Sequence, residues 1–514
     1  MPGRIAMALA AAVAVSVSVL SAATAGAVPA RASAAAAIPT TAIPTATIPT
    51  AAIPTAAVPA AASKGSAEIE AISCPSAGDC TAGGSYLDAA FHTQAFVVTE
   101  KNGSWRNAAQ LPGSAALNTG KDAQIESISC PSAGNCGATG AYAKDVNGQH
   151  LPLPFLTTEK NGTWGKPQAV KGTPAEGGFV RSGQISCKSP GNCSTYVTYE
   201  PDSETVYSSV VSEKNGTWGT AKRLGVALNS LSCGSPGNCS AGGSSSTGPI
   251  VISEKNGTWG KPENVPGIAR HAGDNPLFGG PAVAAVSCSS AGNCAAVGSF
   301  VSGDEAAPFV VAEKNGTWGK AAQVPGLAAI THGGSGLDAV SCASTGNCSA
   351  GGTYVSGLSG ADDINEAFVV NQRNGTWGKA EEVPGIAALN VVFPDFGADA
   401  VVNSVSCKSA GNCSAGGSYM NAAYEYEAFV VSEKNGTWGK AEEVPGTGAL
   451  NAGANDTSGG LSLVSCGSAG NCSGAGVYTD SSDHAQAFVV SEKNGAWGKA
   501  RVVPDTLSLE TSKQ

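Results

Sequence analysis

Charge is scarce in this 514-residue chain, because only 13% of its residues are Asp, Glu, Lys or Arg, and the formal net charge is −10. A protein that binds a phosphate backbone needs a basic surface, which this composition does not supply. We therefore expect no nucleic-acid partner. After residue 27 no stretch reaches the roughly 20 apolar residues that a membrane-spanning helix requires. We therefore expect no membrane insertion.

Familiar catalytic motifs are also missing from the sequence. It contains no G-x-S-x-G elbow, no H-E-x-x-H motif and no P-loop. Zinc ligands usually come in C-x2-4-C pairs, whereas five residues lie between the cysteines of each pair here and no histidine recurs near them. We expect neither a metal nor another cofactor.

The first 65 residues have the composition of an export signal followed by a spacer. Arg4 precedes the apolar run Ile5 to Leu20, and small residues end in Ala25-Gly26-Ala27, as in a cleavable secretory signal peptide. We assign residues 1–27 to this signal. Residues 28–65 carry a proline every five residues among Ala and Thr, which predicts an extended spacer. The spacer either provides reach through a cell envelope or is a passive leader.

All 16 cysteines fall into C-x5-C pairs. An even number of cysteines in an exported chain normally means disulfides, and closing so short a loop contributes about 2 kcal/mol. The localisation we expect is secreted, extracellular or attached to the cell wall. The predicted pairs are Cys74–Cys80, Cys130–Cys136, Cys187–Cys193, Cys233–Cys239, Cys288–Cys294, Cys342–Cys348, Cys407–Cys413 and Cys466–Cys472.

From residue 66 to residue 504 one unit repeats eight times, with a period of roughly 55 residues. The copy at 399–446 contains four strand-like runs, at 401–407, 413–420, 427–434 and 437–444. The Asn435-Gly436 turn separates the last two runs and is a strong hairpin signal. Four antiparallel strands per unit with no helical periodicity predict an all-β fold, an eight-bladed β-propeller with one disulfide per blade. A β-helix would need shorter coils, and separate domains would need longer units.

Two aromatic positions recur in the units, and both fit burial between blades. Sugar stacking is the alternative for the second position. The first position holds Trp105, Trp164, Trp218, Trp259, Trp318, Trp377, Trp438 and Trp497. The second holds Tyr86, Tyr142, Tyr199, Ser245, Phe300, Tyr354, Tyr419 and Tyr478.

The stretch from Ser212 to Trp218, Ser-Glu-Lys-Asn-Gly-Thr-Trp, resembles the Asp-box of sialidase-like BNR propellers. Glu213 stands where that box has aspartate, and the glycine is one place closer to the tryptophan. The stretch is a variant box or a convergent hairpin. With the added C-x5-C loop, the repeat resembles those of secreted propeller proteins of Gram-positive bacteria. The resemblance implies that the box is a structural turn between the third and fourth strands, on the same face as the Cys loop.

Function is then expected on the opposite face, where the loops differ between units. The ligand-binding candidates in these loops are His271, Asp274, His332, Asp395, Phe396, Tyr424, Tyr426 and His484. Asn118, Asn390 and Asn451 share a place before the next unit, where they either ring a central pocket or stabilise turns. For each candidate the alternative is an incidental loop residue.

An enzymatic function is not expected. The resemblance implies that a sialidase needs three arginines for the substrate carboxylate, and only Arg181 and Arg270 fall in the expected ligand-face loops. A general glycosidase needs two carboxylates, which Asp395 with Glu425 or Glu427 would supply without any spacing that marks them. The recurrent Glu-Lys pair before Asn-Gly, such as Glu433-Lys434, is interpreted as a solvated rim that protects hairpin edges.

The sequence thus predicts a secreted, non-catalytic, monomeric binding module. Its most favoured ligand is a carbohydrate or cell-envelope component, held on the variable loops or between blades. The alternatives are a protein-interaction platform that binds another secreted protein and, less favoured, a glycan-active hydrolase. Residues 505–514 are predicted to be a loose tail, and the means of ring closure is left open.

Overall fold

The computed structural model describes residues 66–173, 179–201, 205–268, 281–302, 305–360, 362–394, 397–451 and 459–510. These residues belong to one compact unit, Ser63–Gln514. The predicted signal peptide and spacer lie outside the described residues, so both assignments stay predictions. No helix among the residues described is long and apolar enough to cross a membrane.

The first four blades account for strands β1 to β20. Blade 1 contains β1 (Ala67–Ser76), β2 (Asp79–Leu87), β3 (Thr93–Lys101), β4 (Ser104–Trp105) and β5 (Ala109–Gln110). Blade 2 contains β6 (Ala123–Ser132), β7 (Asn135–Val146), β8 (Gln149–Lys160), β9 (Thr163–Trp164) and β10 (Gln168–Ala169). Blade 3 contains β11 (Phe179–Ser189), β12 (Asn192–Glu200), β13 (Tyr207–Lys214), β14 (Thr217–Trp218) and β15 (Lys222–Arg223). Blade 4 contains β16 (Ala227–Ser235), β17 (Asn238–Ser245), β18 (Gly248–Lys255), β19 (Thr258–Trp259) and β20 (Glu263–Asn264).

The last four blades account for strands β21 to β40. Blade 5 contains β21 (Ala282–Ser290), β22 (Asn293–Ser302), β23 (Glu305–Lys314), β24 (Thr317–Trp318) and β25 (Ala322–Gln323). Blade 6 contains β26 (Ser335–Ser344), β27 (Asn347–Ser359), β28 (Asp362–Arg373), β29 (Thr376–Trp377) and β30 (Glu381–Glu382). Blade 7 contains β31 (Ala398–Ser409), β32 (Asn412–Met420), β33 (Tyr426–Lys434), β34 (Thr437–Trp438) and β35 (Glu442–Glu443). Blade 8 contains β36 (Gly460–Ser468), β37 (Asn471–Thr479), β38 (Ala485–Lys493), β39 (Ala496–Trp497) and β40 (Arg501–Val502).

Short helical turns follow several blades. They are the 3-10 helices Ser114–Ala116, Leu327–Ala329 and Ile386–Ala388 and the α-helices α1 (Thr447–Asn451) and α2 (Thr506–Glu510).

The strands of each blade form an antiparallel meander, and the blades form a closed ring. The first strands of neighbouring blades contact one another all the way round, including β36 with β1, so they are the inner strands. Blades 6 and 7 are also joined by a short parallel pairing of β28 with β31. The predicted eight-bladed β-propeller is confirmed.

The Cys loop and the Asn-Gly turn of each blade lie side by side on one face, which we call the Cys-loop face. In blade 7 the Gly436 N–H donates to Gly411 O at 2.7 Å, and the Asn435 N–H donates to Asn412 Oδ1 at 3.3 Å. The other blades repeat both bonds. The turn asparagines have φ of 49–53° and the glycines 74–84°, as a type I′ turn requires.

All eight predicted disulfides are formed, with Cα atoms 3.8–4.1 Å apart. Each joins the end of an inner strand to the start of the second strand. In blade 4, for example, Cys233 lies directly opposite Cys239 in the ladder. The disulfide therefore pins the turn that ends every inner strand.

A ring of hydrogen bonds, which we call the serine ring, connects the inner strands. The residue before the first cysteine of each blade is serine, and its Oγ accepts the N–H of the first cysteine of the next blade at 2.9–3.0 Å. The ring closes when the Cys74 N–H of blade 1 donates to Ser465 Oγ of blade 8. Every interface between blades therefore contains the same bond near the axis.

The glutamates before Asn-Gly do not form the solvated rim that the sequence predicted. Glu313 is 2% exposed, and its carboxylate accepts Ser240 Oγ and Ser253 Oγ of blade 4, both at 2.8 Å. Ser253 Oγ in turn accepts Trp318 Nε1 at 3.2 Å. The glutamate and tryptophan of this box thus both bind the serine of the preceding box. These hydrogen bonds compensate for the cost of burying the carboxylate. Only the lysine that follows is exposed, as predicted.

Blades 5 and 6 show what happens where the serines are lost. Ala295 and Ala312 of blade 5 replace the two hydroxyl donors, and blade 6 has Gln372 instead of the glutamate. Gln372 is buried like the glutamates. A buried carboxylate without donors would be costly, and at this interface the charge is absent together with its two donors.

The outer strand is broken in the middle, although the sequence predicts one continuous fourth strand. In blade 7 the Ala441 N–H turns away from its own blade and donates to Pro384 O of blade 6 at 2.7 Å. Equivalent bonds occur at Ala108, Ala221, Ala321, Ala380 and Ala500. Blades 2 and 4 have Pro167 and Pro262 at this position, and proline has no N–H to donate. The break thus links the rims of neighbouring blades.

The ring is closed by an eighth copy of the connector that follows each blade. Asp505 has φ 65° where Gly446 has 94°, and Thr506 Oγ1 donates to Val503 O as Thr447 Oγ1 does to Val444 O. Helix α2 packs on β2 of blade 1, as α1 packs on β37 of blade 8. The loose tail predicted for 505–514 is therefore wrong for residues 505–510, because they hold blade 8 to blade 1.

We expect the serine ring to be a measurable part of the stability. Ser232→Ala leaves the Cys288 N–H without its partner and should lower the free energy of unfolding by about 1–3 kcal/mol. The exposed Ser246 supplies the control, since Ser246→Ala should change it by less than about 0.5 kcal/mol. Urea unfolding of the non-reduced protein measures both, and equal values would contradict the role given to the ring.

We expect the last connector to be required for closure. Deletion of 506–514 removes Leu509, which packs against the core shared by blades 8 and 1, and should lower the free energy of unfolding by about 2–4 kcal/mol. Deletion of 511–514 alone keeps the helix and is the matched control. Thermal unfolding followed by circular dichroism compares the two truncations, and an unaffected longer deletion would show that the ring closes without the helix.

Candidate functional site

The face opposite the Cys loops, which we call the variable face, is formed by the loops between second and third strands and by the connectors between blades. All five large apolar residues that are exposed in the described part of the chain lie on this face. They are Phe91, Val146, Leu358, Val392 and Tyr424. The Cys-loop face has none among the described residues, so the two faces differ in the chemistry they present.

Three consecutive blades, 7, 8 and 1, carry the same hairpin loop on the variable face. In blade 1 the Asp88 Oδ1 accepts the N–H groups of Ala90 and His92 at 2.9 and 3.0 Å. Asn421 of blade 7 and Asp480 of blade 8 make the same pair of bonds. Such side-chain bonds hold a tight turn in a single conformation. The loop therefore holds the residue at its tip, the fourth residue of the loop, in a fixed position.

The fourth residue of this loop is held in the left-handed conformation. It is Phe91 with φ 60°, Tyr424 with φ 66° and Asp483 with φ 61°. Bulky side chains rarely adopt this conformation, which favours glycine and asparagine. Phe91 is 68% exposed and Tyr424 57% exposed, so burial does not compensate for the strain. Strain of this kind often marks a functional position.

Tyr424 lies on an aromatic stack at the boundary of blades 6 and 7. Its ring stacks on Phe393 with centroids 3.7 Å apart and planes at 22°. The connector that holds Phe393 is tied to blade 7 because the Val391 N–H donates to Met420 O at 2.9 Å. Val392, next in the connector, is 47% exposed. The boundary thus presents an aromatic ring with apolar surface beside it.

The other predicted candidates have different environments. Tyr426 is half-buried, and its hydroxyl donates to Asp399 Oδ2 at 2.8 Å. His332 is exposed on the connector before blade 6. His484 lies 3.7 Å, Nδ1 to Oδ1, from Asp480 at the base of its loop. The structure thus groups Tyr424 and Tyr426 on one hairpin, while His332 and His484 lie on other blades. His271, Asp274, Asp395 and Phe396 lie outside the described residues.

The three asparagines stabilise connectors, which is one of the two roles predicted. Asn390 is 2% exposed, its Nδ2 donates to Asn365 O at 2.9 Å, and its Oδ1 accepts the Met420 N–H at 3.3 Å. Asn118 makes the same kinds of bond at the connector between blades 1 and 2, and Asn451 Oδ1 accepts the Thr479 N–H. Asn118 and Asn390 therefore join a third strand to the segment that follows, and Asn451 bonds to blade 8. None of them rings a central pocket.

The recurring tyrosines are buried, so the sugar-stacking alternative is excluded for them. Tyr86, Tyr142, Tyr199, Tyr354, Tyr419 and Tyr478 are 1–6% exposed. Tyr354 shows the usual environment, since its ring packs edge-on against Phe368 at 6.0 Å and its hydroxyl donates to Glu382 at 3.0 Å. Burial raises the pKa of Glu366, which lies near Glu382, to about 7.

The carboxylates considered for hydrolysis are engaged within the blade 7 hairpin. Asn421 Nδ2 donates to Glu425 Oε2 at 3.0 Å. Glu427 is 4% exposed, and burial raises its pKa above the ordinary value of a glutamate. Glu427 is therefore poorly placed to meet a substrate at the surface.

Acidic groups also gather on the inner strands around the axis. Burial raises the pKa of Glu70 to about 7, helped by repulsion from Glu68 and Glu126. Burial also raises the pKa of Glu126 to about 7, although Gln124, Ser182 and Arg181 lower it in part. These groups sit at or beside bulges of β1 and β6. The axis is thus lined on this side by carboxyl groups that titrate near neutral pH.

Sequence reasoning missed Phe91, the most exposed large apolar residue of the described chain. A signal was available, because D-A-A-F-H at 88–92 has the same pattern as N-A-A-Y-E at 421–425 and D-S-S-D-H at 480–484. An Asp or Asn at the first position, followed by two small residues, marks the loop. Leu358 and Val392 were missed as well, and nothing in their local sequence distinguishes them from buried residues.

Comparison with known proteins shows distant similarity of fold. No protein-family model and no curated protein sequence matches the chain. Solved structures with a similar fold include a Hadza microbial sialidase, with 10% identity, 62% of this chain and 66% of that chain covered, and a TM-score of 0.33. Trypanosoma rangeli sialidase in complex with sialic acid has 12% identity, 73% and 53% coverage, and a TM-score of 0.35.

A prolyl endopeptidase is also similar, at 10% identity, 84% and 54% coverage, and a TM-score of 0.40. This chain spans about half the length of that protein and of the Trypanosoma rangeli sialidase. At such identities the likeness concerns the fold alone and assigns no function.

We expect the exposed aromatic tips to cost stability. Phe91→Asn should raise the free energy of unfolding by about 1 kcal/mol, because asparagine tolerates the left-handed conformation. The reverse exchange, Asn147→Phe, places an aromatic ring at φ 56° in a hairpin of blade 2 and should lower it by a similar amount. Urea unfolding checks both. A loss of stability in the Phe91→Asn variant would show that the ring serves the fold.

Proposed function

We propose that this protein is a secreted, non-catalytic binding module whose variable face holds a glycan or another component of a cell envelope. The observation that carries the proposal is the pair of exposed aromatic rings, Phe91 and Tyr424, held at strained positions on rigid loops. Neither ring is needed to fill the core. Contact with a ligand would explain why aromatic residues occupy these strained, exposed positions.

Sugar rings suit such positions. The C–H groups on a pyranose face carry partial positive charge and stack on the negative face of an aromatic ring. Polar loop groups beside the ring can then accept or donate hydrogen bonds to hydroxyls, as His92 and Glu425 can beside Phe91 and Tyr424. Two aromatic tips on one face would engage separate units of one polymer, and such linkage raises weak affinities by orders of magnitude.

The compartment supports a ligand outside the cell. Eight disulfides form readily where the environment is oxidising. We also propose that the repeats are variant Asp-boxes like those of secreted bacterial propellers. Their buried glutamate side chains support a structural role for the boxes.

A protein-interaction platform is the second candidate, and one observation favours it. Leu358, 66% exposed, and Val392 add aliphatic surface to blades 6 and 7. Exposed apolar patches commonly mark protein interfaces. A protein partner would cover a broad part of the variable face, whereas a glycan would depend on the aromatic tips.

A glycan array with the full-length, non-reduced secreted protein tests the proposal. The variant Phe91→Asn/Tyr424→Asn should lose at least about 10-fold in affinity for any glycan bound, equivalent to 1.4 kcal/mol. Val146→Asn, which removes an exposed aliphatic residue from the same face, is the matched control and should bind normally.

Two results would count against the proposal. If the wild-type protein binds no glycan, the protein-interaction platform is favoured instead. Its partner would then be identified by cross-linking through the variable face. A glycan affinity that is unchanged in the double aromatic variant would place the main site elsewhere on the ring.

A further inference from the structure

A cleft of about 330 Å³ opens between blades 2 and 3 on the Cys-loop face, away from the site proposed above. Its sides are the Cys loops and Asn-Gly turns of the two blades, and it reaches down to Gly137 and Thr158. Lys160, Asn161 and Asn215 line the cleft and have exposed side chains. The cleft therefore combines a solvent-accessible polar rim with a buried end.

The buried end of the cleft follows from an exception in the repeat. Gly137 comes directly after the second cysteine, where the other blades have Ser, Thr or Ala. In five blades the serine at this position donates its hydroxyl to the buried glutamate of the next blade. Blade 2 has no side chain there, so its interface with blade 3 lacks this hydroxyl group.

Glu213 of blade 3 shows the effect of the missing hydroxyl. Its Oε1 accepts Thr158 Oγ1 at 3.3 Å, while its Oε2 is buried with no hydrogen-bond partner among the described residues. Burial raises the pKa of Glu213, and Thr158 and Lys160 lower it. Lys160 is thus close enough to interact with this carboxylate. Glu159, which lines the cleft, also has a buried Oε2 with no hydrogen-bond partner among the described residues, and burial raises its pKa. With two carboxyl groups beside one ammonium group, the cleft offers no excess of positive charge to an anionic sugar.

The lining of the cleft combines apolar and hydrogen-bonding surfaces, as a sugar does. Pro131 and Pro190 supply rigid apolar ring surfaces, while the amides of Asn161 and Asn215 and the Lys160 ammonium supply hydrogen-bonding groups. A pyranose likewise has apolar C–H faces and hydroxyls at its edge. The volume is at the lower end for small-molecule pockets and suits about one or two sugar rings.

We infer that the cleft between blades 2 and 3 is a second glycan-binding site, selective for neutral sugars one or two rings long. The ligand class rests on the proposed function, but the site is separate from Phe91 and Tyr424. With both sites occupied, the ring holds glycans on opposite faces. It then links two chains of an envelope polymer instead of only adhering to one.

The test titrates cellobiose, di-N-acetylchitobiose and glucuronate into the full-length Phe91→Asn/Tyr424→Asn protein by calorimetry, so that the variable-face tips do not contribute. At least one neutral disaccharide should bind at a single site, and glucuronate should bind more weakly. Adding Lys160→Ala/Asn161→Asp should weaken binding at least about 10-fold, because it removes two rim donors while Asp tolerates the left-handed turn.

The matched control is Lys314→Ala/Asn315→Asp, which makes the same change in blade 5, and it should alter affinity less than about 2-fold. Equal thermal unfolding of the two variants excludes a folding defect. The inference is overturned by no neutral binding up to tens of millimolar, by preference for glucuronate, or by equal loss in the control. None of these results bears on the glycan-array outcome for the aromatic tips, so the two proposals fail separately.

Discussion

The hydrogen bond from each first-cysteine N–H to the serine hydroxyl of the preceding blade is the contact on which the ring depends. It recurs at every interface with lengths of 2.9–3.0 Å. The disulfide fixes the strand end that offers this N–H, so covalent pinning and bonding between blades act at the same residue. The Ser-Cys dipeptide and its small loop are repeated eight times because they assemble the scaffold at every interface between blades.

Farther from the axis, the interfaces hold together through the box and the broken outer strand. The box of blade 5 is an example, because the Ser253 hydroxyl of blade 4 donates to the Glu313 carboxylate and accepts the Trp318 indole N–H. Exceptions are informative because they are local. At blades 5 and 6 the donors and the charge disappear together, whereas between blades 2 and 3 a donor is lost and the charge stays. The second case leaves Glu213 Oε2 buried without a partner, and Glu159 Oε2 in the lining of the adjacent cleft is buried without one as well.

The repeat pattern, the Asn-Gly turns and the cysteine spacing were enough to predict the propeller, the disulfides and the shared face of the two loops, because these depend on local turn chemistry. The direction of Glu313 was not predictable, since Glu beside Lys looks like a surface pair and only the neighbouring blade supplies its donors. The break at Ala441 depends on a carbonyl of another blade for the same reason. Tyr424 was found because its loop is unlike the repeat, but the strain at Phe91 comes from a backbone angle that residue type does not reveal.

The connector that ends in Glu510 has a consequence for how the chain is ordered. It joins blade 8 to blade 1 in the manner of α1 between blades 7 and 8, and among the residues that the structure describes no strand crosses the seam. The chain break between blades 8 and 1 is therefore structurally equivalent to an intact connection elsewhere. Circularly permuted chains that start at another blade would form the same ring. A ninth unit gained by gene duplication would have to form the same serine hydrogen bond at two new interfaces and still close the ring.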